Sequence, residues 1–123
     1  DKGLNAKSFD KVNSHRENLL SVYGLMYAVY LIRSVVVGGT VWLSPDCSSW
    51  LVFLTRNIYK RTLDNLKGDV TKAKTREDNA CAEVTAYLAM MAAVRGAYIA
   101  VENPLASLLF KFAPIASALQ ILG

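Results

Sequence analysis

At 123 residues, with 53% hydrophobic residues and a formal net charge of +4, the chain has the size of one domain and can bury about two-thirds of its unfolded surface. Two cysteines and one histidine exclude a disulfide framework and leave no metal-ligand spacing, and so small a charge surplus favours acidic partners only weakly. The hydrophobic share is high for a domain this small, so some apolar surface is expected to be covered by a partner or to belong to a larger protein.

The opening Asp1-Lys2-Gly3 has neither a methionine nor a signal-peptide pattern, which suits a processed chain or a fragment. Residues 1–13 are polar and aperiodic and predict an arm. Ser14-His15-Arg16-Glu17 fits a capping box and predicts a helix from His15 to Ser34. Leu20, Tyr23, Tyr27, Tyr30 and Leu31 lie along one side of it, and Leu25, Met26, Val29 and Ile32 make the other sides apolar. A helix apolar all round is buried on more than one face. Gly24 inside it costs about 1 kcal/mol relative to alanine and admits a close neighbour. The apolar run Leu19 to Ile32 is 14 residues long, short of the roughly 20 that span a bilayer; a peripheral position on a membrane surface stays open.

Val35-Val36-Val37 followed by Gly38-Gly39 favours exit into an extended segment, and Thr40 to Leu43 predicts the first strand. It ends at Ser44-Pro45-Asp46-Cys47-Ser48-Ser49, a turn sequence. Trp50 to Leu54 fits either one helical turn or a short strand. Arg56 to Asp78 carries seven basic residues against four acidic ones. Its 55–75 core reads either as a solvated polar connection or as a loop contacting nucleic-acid phosphates through Arg56 to Arg76. Thr75-Arg76-Glu77-Asp78 predicts a cap for a helix reaching Val94, with Ala80, Val84, Tyr87, Leu88, Met91 and Val94 on its apolar face. Gly96 ends it, and Ala97 to Val101 predicts a second strand that stops at Glu102-Asn103-Pro104. Pro114 divides Leu105 to Phe112 from a last short helix, Ile115 to Leu122.

The order helix, strand, helix, strand, helix predicts a single α/β domain over 1–123: a partial doubly wound, Rossmann-like parallel sheet with flanking helices. Two strands are fewer than a complete fold of that kind needs, so a half-domain is expected. Open α/β sheets place functional residues at the carboxyl ends of their strands, which singles out Cys47 and Glu102. Asn103, Ser48 and Arg56 are the further candidates for substrate contact.

Pro45-Asp46-Cys47 and Glu102-Asn103-Pro104, each at a strand end and separated by one helix, resemble the Pro-Cys and Glu-Asn-Val motifs of cytosine-5 DNA methyltransferases. The stretch Gly39 to Trp50 with Val101 to Pro104 is also similar to uncharacterised algal and protist proteins of the same layout. The likeness covers about Thr40 to Ser107. It implies that Cys47 is a nucleophile adding to C6 of a flipped cytosine, that Glu102 engages ring nitrogen N3, and that S-adenosylmethionine supplies the methyl group. The glycine-rich cofactor turn of that family has no counterpart, since Gly38-Gly39 precedes a strand instead of following one. Asp46 stands where the family has a second proline, and the chain leaves no room for a target-recognition domain.

The expectation is therefore a non-catalytic structural or interaction subunit of a larger assembly, with protein partners, no cofactor and no metal, in an organelle interior such as a chloroplast or mitochondrion. The alternatives are a catalytic fragment of an S-adenosylmethionine-dependent cytosine-5 methyltransferase and a peripheral membrane-associated subunit. At the level of single residues, Cys47 also suits a tight turn, and Glu102 and Asn103 suit the cap of a following helix. Cys81 suits a core position, His15 has no second ligand near it, and Trp42 and Trp50 are expected to pack the sheet.

Overall fold

Two apolar runs, rich in the β-branched and aromatic side chains that suit a pleated surface, pair at the centre of the molecule. Strands β1 (Thr40–Leu43) and β2 (Tyr98–Val101) run parallel, with Thr40 opposite Tyr98 and Leu43 opposite Val101. The computed structural model describes residues 5–123; the first residues of the expected arm lie outside them. The architecture is mixed α/β, a two-stranded parallel sheet with flanking helices.

The first helix, α1 (Val22–Arg33), starts later than the capping box predicts. Ser14 does cap, its hydroxyl accepting from the Arg16 amide at 3.2 Å, but it opens only a 3-10 turn, His15–Glu17. Glu17 accepts from the Asp10 amide at 2.7 Å and from Asn13 Nδ2 at 2.9 Å, so it ties down the preceding turn. Asn18 is extended, and its side chain accepts from the Leu20 amide at 3.0 Å, a local bond that competes with helix propagation. Ser21 is the true cap, accepting from the Gly24 amide at 3.0 Å. The close neighbour of Gly24 is this entry loop, for a Cβ there would overlap the Asn18 carbonyl group.

Burial of α1 also differs from the expectation of an all-round core helix. Only Gly24, Ala28 and Ile32 are buried, a single stripe at four-residue spacing, while Tyr23, Met26 and Tyr30 are exposed. Few elements surround α1, so one stripe is all that finds a partner.

After β1 the chain touches Ser107 through one antiparallel bridge at Leu51. It then turns through a short helix, α2 (Val52–Leu54), which widens into a π turn, Thr55–Tyr59, and stops at Lys60 in the left-handed conformation. The long helix α3 (Ala73–Val94) begins ahead of the expected Thr75 cap. Thr75 lies inside the helix with its hydroxyl buried. The buried face of α3 is a run of small residues, Ala82, Thr85, Ala86, Ala89 and Ala92 around Leu88. Tyr87 and Val94, expected on that face, are exposed. The small residues let α1 and the sheet close on one side of α3 and the last helix, α4 (Ala113–Leu122), close on the other. Pro114 sits in the first turn of α4, where its missing N–H has no cost.

Two cores result. One joins Ala28 and Ile32 of α1, Val41 of β1, and Leu88 and Ala92 of α3. The other joins Trp50, Leu109, Phe112, Ile115 and Ala118 to Ala82 and Ala86, with the Trp50 and Phe112 rings 5.0 Å apart. Trp50 thus packs as expected. Trp42 does not: it alternates onto the opposite face of β1 from Val41 and is 67% exposed, and Tyr98 on β2 is 72% exposed. α1 and α3 cover the Val41 face, sharing one core with it.

Candidate functional site

Glu102 directly follows the carboxyl end of β2, and Cys47 lies in the turn four residues beyond that of β1. Glu102 extends the strand ladder by one bond, its amide donating to the Leu43 carbonyl at 2.8 Å. Its carboxylate accepts from the Ser44 hydroxyl at 2.6 Å, which joins the two strand ends side chain to side chain. Asn103 donates from Nδ2 to the Pro45 carbonyl at 2.9 Å, while its buried Oδ1 has no hydrogen-bond partner. No helix directly follows Pro104; Ser107 caps the next 3-10 turn, accepting from the Leu109 amide. Glu102 and Asn103 therefore brace the Ser44-Pro45 turn and cap nothing, because the chain stays irregular until Leu108.

Cys47 sits half-buried at the apex of the turn. Its carbonyl accepts from the amides of Trp50 and Leu51 at 2.9 and 3.2 Å, and Asp46 accepts from the Ser48 amide at 2.8 Å. Glu102 is exposed, and among the described residues no hydrogen bond links it to Cys47. Ser48 belongs to the same turn. Arg56 projects from the π turn, exposed and without a hydrogen bond or ion pair among the described residues.

Behind the turn lies a polar network that the sequence did not single out. Lys74 places its ammonium 2.8 Å from Asp46 Oδ2 and 2.9 Å from Asp78 Oδ1. The other Asp78 oxygen accepts a short hydrogen bond from the Ser49 hydroxyl. Arg61 completes the arrangement although it is only 1% exposed. Its Nε donates to the Ser49 carbonyl at 2.9 Å and an Nη to the Ser49 hydroxyl at 3.0 Å. The other Nη donates at 2.7 Å to both the Leu66 carbonyl and Asn79 Oδ1. Its guanidinium carbon lies 3.6 Å from the centroid of the Trp50 ring, a stacked cation–π contact. Gly68 makes room for the loop: its φ is +68°, and a Cβ would fall 2.6 Å from the Tyr59 carbonyl oxygen and 2.8 Å from the Arg61 side chain.

The electrostatics derive from burial and pairing. Burial alone would raise the Asp46 pKa, but hydrogen bonds from Lys74 and Ser48 outweigh it and hold the carboxyl at about 2. Burial opposes the Lys74 charge as well, and its bonds to Asp46 and Asp78 raise it to about 12. Burial lowers Arg61 to about 10 against the opposing charge of Asp78, so it remains cationic at neutral pH. Burial, and then the charge of Asp78, raise the thiol of the half-buried Cys81 on α3.

The basic segment thus divides. Arg61 is locked in the interior, Lys74 is paired, and Arg76 donates to the Val70 and Thr71 carbonyls at 2.9 Å. Arg56, Lys60, Lys67 and Lys72 are exposed. Lys74 and Asp78 stand four apart on α3, the spacing of a helical ion pair. Nothing in a mixed charge run marks Arg61 as buried.

Among the described residues, no three His, Cys, Asp or Glu side chains cluster to hold a metal, and no helix is long and apolar enough to cross a membrane. No protein-family model, curated protein or solved structure matches this chain.

Proposed function

We propose that the chain is a non-catalytic structural or interaction subunit of a larger assembly, built on a partial doubly wound, Rossmann-like α/β unit whose sheet a protein partner completes. The observation that carries this reading is the bare face of the parallel pair, where Trp42 and Tyr98 stand exposed. Parallel sheets occur almost only with both faces covered, and exposed aromatics of this size are the residues that anchor protein interfaces. With two strands, β1 and β2, in the sheet among the described residues, each keeps one unpaired edge among them, which strand addition from a partner would use. Meanwhile the polar groups of the carboxyl edge are turned on one another: Glu102 to Ser44, Asn103 to Pro45 and Asp46 to Lys74.

Native mass spectrometry of the untagged protein from its source, with and without S-adenosylmethionine, tests the reading. The expected result is a stoichiometric protein complex with no cofactor adduct. A free chain that gains one cofactor mass overturns it.

A second reading is supported by one observation, that Cys47 and Glu102 each follow the carboxyl end of one of two paired strands. Under it the chain is the catalytic fragment of a cytosine-5 nucleic-acid methyltransferase, and Cys47→Ser abolishes methyl transfer in the completed enzyme while leaving its assembly intact.

A further inference from the structure

Along α1 and α3, which pack on the Val41 face of the sheet and so away from Trp42, lies an open trough. Two adjoining hollows of about 520 and 630 Å³ make it up, and both are bordered by Arg33 and Tyr87. Its walls are Met26 and Tyr30 from α1 and Tyr87, Met90, Met91 and Val94 from α3. All three methionines of the chain line it. Methionine is the unbranched, polarizable side chain that adapts to a partner's shape. The outer parts of the trough are well exposed, with Met26 and Tyr30 at 64% and Val94 at 88%.

Charge narrows the occupant. Arg33 and Arg95 border the trough, and among the described residues no Asp or Glu lines it and neither arginine has a carboxylate partner, the Arg95 Nε donating to the Val35 carbonyl at 2.9 Å. α1 itself carries no acidic residue. A symmetric dimer through this surface would bring Arg33 and Arg95 of both copies to a seam whose own lining holds no carboxylate, an arrangement that like-charge repulsion disfavours. A lipid surface is flat or convex and would leave the floor between the helices unfilled. A helix laid lengthwise fits: α1 has 12 residues, hence a length of roughly 18 Å, enough to hold three turns of a partner.

We infer that the α1–α3 trough, bordered by Arg33 and Arg95, docks an amphipathic helix of a protein partner, with its apolar stripe on the three methionines and Tyr87 and its flanking carboxylates on the two arginines. This surface is separate from the Trp42 face, and its role does not depend on the sheet being completed by a partner.

The test uses the full chain as bait for a displayed library of helical peptides of about 18 residues, with Tyr87→Glu as the counter-target. Selected peptides are then titrated into protein carrying [13C]methyl-methionine. The expected result is enrichment of apolar residues at i, i+3, i+4 and i+7 flanked by Asp or Glu, with movement of all three methionine methyl signals. The doubly substituted Arg33→Glu, Arg95→Glu protein should bind about tenfold more weakly, and lysine-for-acid peptides should recover that loss. Both arginines are exposed, and a circular dichroism spectrum matching the parent confirms that the variant folds. The inference is overturned if no peptide is enriched over the counter-target, if enriched peptides carry no acidic bias, or if the methionine signals stay fixed. It is equally overturned if those signals move instead with protein concentration alone or on adding vesicles of phosphatidylcholine and phosphatidylserine without peptide.

Discussion

Helix α3 meets the rest of the chain by opposite means at its two ends. Near its start, Lys74, Asp78 and Asn79 join Asp46, Ser49 and Arg61 in a network of charged hydrogen bonds stacked on Trp50. Near its end, Tyr87, Met90, Met91 and Val94 face α1 across an open apolar trough. The first arrangement tolerates one geometry, because each buried polar atom must keep its partner. The second tolerates many, since apolar contact is not directional. A chain that fixes its turn with the first and leaves the second uncovered is built to hold a shape and offer a surface.

Removing Arg61 should separate the two ends most sharply. Arg61→Met leaves the Ser49 carbonyl, the Leu66 carbonyl and Asn79 Oδ1 short of a donor and removes the cation buried beside Asp78, and should cost about 3 kcal/mol or more in urea unfolding. Arg61→Lys should recover little of that, since an ammonium cannot reproduce the fork or stack on Trp50. Ser49→Ala should cost about 1–3 kcal/mol by unpairing one Asp78 oxygen and one Arg61 donor in the interior.

The same network should give stability a pH signature. The Asp46 carboxyl is held at about 2 in the folded chain against 3.8 for the free group. Between those values the unfolded chain binds more protons, so the contribution of Asp46 is complete above pH 3.8 and is lost as pH falls toward 2. Asp46→Asn should flatten that part of a stability–pH curve. At the other end of α3 the effects should be smallest. Met26→Gln and Tyr30→Gln should each shift stability by no more than about 0.5 kcal/mol, as surface changes do. A larger loss from either would mean that the trough is structural and not an open surface.

The strands were legible because each is a short apolar run stopped by a proline-marked turn, and α3 because its apolar positions recur at helical spacing. The start of α1 was not: Ser14 and Glu17 carry the capping-box signature, but Asn18 bonds locally and Glu17 turns back to Asp10 and Asn13. Chain order alone gives that Glu102 directly follows the second strand and that Cys47 lies in the turn after the first. What holds them there could not be read from it, because Arg61 shares its composition with solvated neighbours and is distinguished only by the tertiary pocket formed by Trp50, Ser49 and Asn79. Trp42 was misassigned for a related reason. Alternation says that Val41 and Trp42 face opposite ways, but not which face the helices cover.

If a partner completes the sheet, the Trp42 face is covered in the working protein, and the two tryptophans allow a direct test. Hydroxyl-radical footprinting should be run on the isolated chain and on the assembly purified from its source, with Trp50, 1% exposed, as the internal control. Trp42 should oxidise readily in the isolated chain and be protected in the assembly, while Trp50 is unreactive in both. Equal oxidation of Trp42 in the two samples would contradict the reading that a partner completes the sheet.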